Sequence, residues 1–162
     1  MNNARENLIR ILQNAHAGEL AAAFAYRGHW KSVRSADERE NIKRIEQEEW
    51  AHRENNLKWL KVLGAEPRRF REKVFWTIGR TLGVLCFVSG WFLPMYFAGR
   101  LESANTKEYE TAANFAKELG MHECCDELME MSLKELEHEE FFRLTVADHR
   151  LLPLTRKVFK WS

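Results

Sequence analysis

The chain has 162 residues, enough for one domain with a real core. Apolar residues make up 45% and charged residues 30%, and 25 basic against 24 acidic side chains leave a formal net charge of +1. That balance excludes an acidic tail and a nucleic-acid-binding stripe, and three cysteines exclude a disulfide scaffold.

An odd cysteine count without a framework fits a reducing compartment. The N-terminal MNNARENLIR has no apolar stretch of signal-peptide length, so a cytoplasmic location is expected. Over residues 7–30, Leu8, Ile11, Leu12, Ala15, Gly18, Glu19, Ala22, Ala23 and Tyr26 recur every three or four positions, which predicts a first helix. Ser35 is the N-cap of a second helix, with Glu38 as the other half of a capping box. That helix carries Ile42, Ile45, Trp59, Leu60 and Leu63 and stops at LGAEP. A third is expected from about Phe92 to Leu119, closed by Gly120. A fourth runs from His122 to about Asp148, with Leu128, Met131, Leu133, Leu136 and Phe142 on its buried side. No period-two alternation is long enough for a sheet, so the fold expected is an all-α bundle of four helices, a single domain over residues 1–162.

Residues 81–99, TLGVLCFVSGWFLPMYFAG, form an uncharged insert between the second and third helices. The run has nearly the length of a membrane span. Pro94, three glycines and the need to have Glu102 on the third helix favour instead a hairpin or short helix lying against something apolar. With Arg68, Arg69, Arg71, Lys73 and Arg80 upstream, the first expectation is a peripheral anchor on a membrane surface. The competing readings are a dimer interface, making the chain a homodimer, or a cap over the core.

Two Glu-x-x-His pairs, Glu49/His52 and Glu135/His138, each place a carboxylate and an imidazole on one helix face. Glu19 precedes Glu49 by 30 positions and Glu102 precedes Glu135 by 33, each on the preceding helix. A helix hairpin with a rise of about 1.5 Å per residue brings such positions to one height. Four carboxylates and two imidazoles then surround one volume, the ligand set of ferritin-like di-iron and di-manganese bundles. Four carboxylates balance two divalent ions, and the imidazoles favour iron, with manganese the alternative, over calcium or magnesium. Glu49 and Glu135 are expected to bridge, with Glu19 and Glu102 terminal. His16, one turn before Glu19, is a candidate partner orienting it. His29, His122 and His149 read as surface histidines. The His122, Cys124, Cys125 cluster reads as packing rather than as a metal site.

HAGELAAAFAYRGHW, then E-x-x-H, the apolar insert, LESANTKEYE and LKELEHEE resemble the demethoxyubiquinone hydroxylase family over roughly residues 8–145. The resemblance implies a peripheral membrane enzyme that hydroxylates a quinone ring with dioxygen. It implies the same six metal ligands, and a tyrosine beside the site at Tyr109 that could relay an electron or proton. Where the family has an arginine and an aspartate before its HAGE box, this chain has Gln13 and Ala15, and Glu108 stands where the family often has histidine. Those positions concern substrate and electron delivery, so the metal site is carried further than the substrate.

The expected activity is a di-iron monooxygenase acting on a lipophilic, quinone-like small molecule, with electrons from an external reductant or reductase. A ferroxidase or rubrerythrin-like peroxidase is the rival, although no cysteine quartet for a rubredoxin iron exists. A non-catalytic bundle is the third reading. No dinucleotide fingerprint, P-loop or nucleophile elbow is present.

Overall fold

The computed structural model describes residues 2–161, and these form six helices. They are α1 (Asn2–Ser32), α2 (Ala36–Val62), α3 (Arg69–Leu85), α4 (Phe92–Glu118), α5 (His122–Thr145) and α6 (Leu152–Phe159). Helices α1 and α2 pair along their length, as do α4 and α5, and the hairpins meet through α1–α4 and α2–α5. The result is the all-α, ferritin-like bundle that the periodicity predicts.

The punctuation follows the sequence. Ser35 Oγ accepts a bond from the Glu38 N–H at 3.3 Å, but the Glu38 carboxylate turns to Trp91 Nε1 at 2.9 Å, so only half of the capping box forms. Gly64 (φ +64°) and Gly120 (φ +71°) end α2 and α4 in the left-handed region that favours glycine. In each case the next residue donates back to the last turn: Ala65 N–H to Leu60 O at 2.8 Å and Met121 N–H to Ala116 O at 2.9 Å.

Two apolar clusters fill the bundle ends. One holds Leu8, Leu12, Trp59, Leu60, Ala112, Ala116, Cys124 and Leu128. The other holds Tyr26, Ile42, Ile45, Met95, Tyr96, Phe142 and Trp161. Along each of the four long helices, the residues between the clusters are the glutamates and histidines of the two Glu-x-x-His halves. The polar layer therefore lies at mid-height, sealed above and below by apolar packing.

Several expectations are corrected. The four-helix count misses α3 and α6. The insert is not a separate body: residues 81–99 comprise the last turn of α3, the α3–α4 turn and the first turns of α4. Within it Phe92 is buried, whereas Val84 (67% exposed), Phe87 (58%) and Val88 (76%) face outward at the turn. Leu133 and Leu136 are exposed, because the inward face of α5 is taken by Leu128, Ser132, Glu135, His138 and Phe142. His29 is buried rather than on the surface, and His149 is half-buried against the Phe92 ring at 4.0 Å. Trp161 belongs to the second apolar cluster. It is buried edge-on to Tyr96 and donates to Glu139 at 2.8 Å. No helix among the described residues is long and apolar enough to cross a membrane.

Helix α3 packs its backbone closely against α1 and reaches α2 only through side chains. The seam is made of glycines: a Cβ on Gly28 would lie 2.2 Å from Gly83 O, and one on Gly79 would lie 2.5 Å from Ala21 O. This close backbone approach leaves a gap between α3 and α4, floored by small residues of α1.

Candidate metal centre

Glu19 comes from α1, Glu49 and His52 from α2, Glu102 from α4, and Glu135 and His138 from α5. All six are buried. They form two overlapping groups, Glu19–Glu49–His52–Glu135 and Glu49–Glu102–Glu135–His138, within each of which one donor atom per residue lies within 4.8 Å of the others. Glu49 and Glu135 belong to both groups. That is the position two bridging carboxylates would take, with Glu19 and Glu102 at the ends.

The donors face one another without bonding. Both Glu49 oxygens, Glu19 Oε2, Glu135 Oε1, His52 Nδ1 and His138 Nδ1 are enclosed and have no hydrogen-bond partner. His52 Nδ1 stands 2.8 Å from Glu135 Oε1, yet the alignment is not that of a hydrogen bond, as expected when both lone pairs point at a shared centre. Among the described residues, no lysine or arginine pairs with any of the four carboxylates. Orphaned donors and uncompensated buried charge at one place call for cations. The donor set could hold a metal ion and is compatible with a two-metal site.

Ionisation reflects this. Burial, reinforced by the neighbouring carboxylates, holds Glu49 and Glu102 well above the usual carboxylate range. Burial also raises Glu19, although the close approach of Glu49 and the bond from Tyr109 oppose it. Burial pushes Glu135 the same way, but the close approach of Glu102, His138 and His52 outweighs it and holds that carboxyl low. Burial works against protonated His52, but its contact with Glu135 and the charge of Glu19 prevail and raise its pKa.

The surrounding hydrogen bonds fix the donors. Tyr109 donates to Glu19 and accepts from Asn56 Nδ2 at 2.9 Å. Asn105 Nδ2 bonds Glu102 at 3.2 Å. His138 Nε2 contacts Glu48 at 2.7 Å, which leaves Nδ1 facing the centre. His16 does not bond Glu19 as expected. Its Nδ1 meets Glu72 at 2.8 Å in a cluster with Arg53, which tethers α3 to α1 and α2. The reason is that α3, unforeseen as a helix, carries an acid into reach.

Three partners escape sequence reading: Glu48, Asn105 and Tyr26. Tyr26 carried a recoverable signal. It lies seven positions after Glu19, as Tyr109 lies seven after Glu102. Each tyrosine donates to the glutamate of the other helix, Tyr26 to Glu102 and Tyr109 to Glu19.

The gap between α3 and α4 reaches this centre. A cavity of about 560 Å³ is lined by Glu19 and Tyr109 at one end and by Ile78, Leu82 and Leu101 along its walls. A second, of about 330 Å³ and almost wholly apolar, continues past Tyr26 to His29, Cys86, Pro94 and Phe97. Ala22, Ala25, Leu82 and Leu101 line both, so the two are one cleft.

Compared with known proteins, residues 6–150 match the family model described as "Ubiquinone biosynthesis protein COQ7". No curated protein and no solved structure matches.

Proposed function

The chain belongs to the ubiquinone biosynthesis protein COQ7 family, and from that premise we propose that it is a di-iron monooxygenase hydroxylating a lipophilic, quinone-like ring with dioxygen. The family's members are hydroxylases of ubiquinone biosynthesis. The observation that carries the finer reading is the convergence of orphaned carboxylate and imidazole donors at the inner end of a cleft whose outer part is apolar.

Glu49 and Glu135 would bridge two iron ions, with Glu19 and His52 on one and Glu102 and His138 on the other. Bound there, the iron pair supplies the chemistry that divides dioxygen between a ring hydroxyl and water, the electron pair and protons coming from an external reductant. The chain's own residues do the rest. Tyr109 and Tyr26 hold Glu19 and Glu102 in place through hydroxyl bonds. Asn105 ties Glu102 towards Glu135. Glu48 fixes the His138 ring. The apolar clusters above and below keep water from the layer, which strengthens every electrostatic interaction in it. Tyr109, bonded to Glu19 and lining the cleft, is the group placed to pass a proton between ligand and centre.

The substrate would enter from lipid. Val84, Leu85, Phe87 and Val88 form an exposed apolar tip at the α3–α4 turn, beside the apolar end of the cleft. Arg68, Arg69 and Lys73 are exposed on the same helix or its start and suit an anionic surface.

The test is iron content with a Mössbauer spectrum after iron loading, followed by anaerobic reduction and oxygen exposure with a quinol probe. About two iron atoms per chain with a coupled diferric signal, and a probe heavier by one oxygen drawn from labelled dioxygen, are expected. Iron oxidation or peroxide consumption without labelled product would put a ferroxidase or rubrerythrin-like peroxidase in its place. A protein that takes up no iron would remove both.

A further inference from the structure

Of the charged side chains lining the cleft, two have no role in the centre and no hydrogen-bond or ion-pair partner among the described residues. Arg71 stands on α3 and Glu108 on α4, on opposite walls of the larger cavity. Both are half-buried. Among the described residues neither makes a side-chain hydrogen bond or ion pair, although a carboxylate and a guanidinium sharing a cavity would ordinarily close on each other. The adjacent acid Glu72 is already taken by Arg53 at 2.5 Å and His16 at 2.8 Å, so Arg71 has no claim on it. On the floor between them Asn14 Oδ1 is enclosed and unbonded. Elsewhere the side walls are mostly apolar, and the far end of the cleft is almost wholly so. Polar groups left open at one end of an otherwise apolar cleft are the usual means of fixing a ligand's orientation.

We propose that Arg71 and Glu108 are the specificity-determining pair for the polar edge of the bound ring. Arg71 donates to a ring oxygen and Glu108 bonds a ring hydroxyl, so that the ring sits over Glu19 and Tyr109 and the apolar chain runs past Leu82 and Leu101 towards the α3–α4 turn. This rests on the hydroxylase reading and deepens it: the ligand must carry an oxygen acceptor and a hydroxyl on its ring and an apolar tail on the opposite side. Burial, with the charge of Glu19, raises the pKa of Glu108 against the pull of Arg71. The carboxyl is thereby fitted to exchange either sense of hydrogen bond with a hydroxyl.

The experiment is calorimetric titration of the iron-loaded protein, under nitrogen in detergent micelles, with decylhydroquinone and with decylbenzene. The hydrocarbon has the same ring and tail without the oxygens. Arg71→Met and Glu108→Leu should each raise the Kd for decylhydroquinone about tenfold or more, the usual worth of a hydrogen bond to a charged group, and shift decylbenzene by less than about twofold. Glu108→Gln, which keeps both bonding senses, should recover most of the loss. Equal weakening of both probes would reduce the pair to cleft shape and overturn the proposal, as would no weakening of either. If the unaltered protein binds both probes and the variants change nothing, the pair alone fails. If it binds neither, the lipophilic-substrate reading fails with it.

Discussion

His29 offers a test of the cleft wall that needs neither metal nor substrate. Its ring is buried beside the Tyr26 and Phe142 rings, with centroids 6.4 and 6.0 Å away, and among the described residues its Nε2 has no partner. Burial lowers its pKa to about 4, against about 6.5 in an unfolded chain. The folded protein therefore resists a proton that the unfolded chain accepts, and stability is present above the unfolded value and lost as pH falls towards 4. From pH 7.5 to pH 5.0 the linkage integral for these two values is about 2 kcal/mol, or roughly 4–8 °C in Tm for a chain of this size. The assay is urea unfolding of wild type, His29→Leu and His29→Gln at both pH values. Other titrating groups contribute to all three proteins and cancel in the difference, provided they lie too far away to couple. The wild type should lose about 2 kcal/mol more than either variant between those pH values. Equal losses would mean that His29 charges in place, and the apolar description of that end of the cleft would be wrong.

Four further outcomes follow from the geometry. Glu49→Ala removes one of the two carboxylates common to both donor groups, so both ions should be lost; a full pair by elemental analysis would refute the bridging assignment. Tyr26→Phe frees a Glu102 oxygen and should weaken metal binding about tenfold, read by competition with a chelating dye, while unchanged affinity would strip the tyrosine of its positioning role. Gly28→Ala drives a methyl into the Gly83 backbone and should cost about 1–3 kcal/mol by urea unfolding; an unchanged midpoint would mean that α3 shifts freely on α1. Phe87→Asp with Val88→Asp should release the protein from anionic liposomes in a flotation assay. Retention would show that the exposed tip is not the lipid contact.

Much of the bundle was legible because its helices obey local rules. Apolar residues three and four apart, a serine N-cap and glycines at the two hairpin ends define α1, α2, α4 and α5 without reference to the rest of the chain. α3 was hidden for a physical reason. Most of its charges fall in its first half, its last turn runs into the uncharged insert, and it docks through Gly79 and Gly83, residues that ordinarily argue against a helix. Leu133 and Leu136 misled for the converse reason. On α5 the buried face is polar, and a reading that equates apolar with inward places the helix about a third of a turn out of phase.

The same inversion explains what could be read of the centre. Glutamates that line a bundle interior break the pattern by which helices are recognised, and that break is what made Glu19, Glu49, Glu102 and Glu135 visible. Residues that support them follow the ordinary pattern and vanish into it: Tyr26 reads as core, Asn105 and Glu48 as surface. They become visible only through the relation between the two halves of the chain. The seven-residue step from Glu19 to Tyr26 repeats from Glu102 to Tyr109, and each hydroxyl crosses to the other half's glutamate. The repeat extends to Glu-x-x-His on α2 and α5, but not to the cleft, since α3 has no counterpart after α5 of equal length. The halves are therefore alike where they hold the centre and unlike where a ligand would reach it. Substitutions at Arg71 and Glu108 should alter which ring is bound, and substitutions at the repeated positions should alter whether the metal ions are held at all.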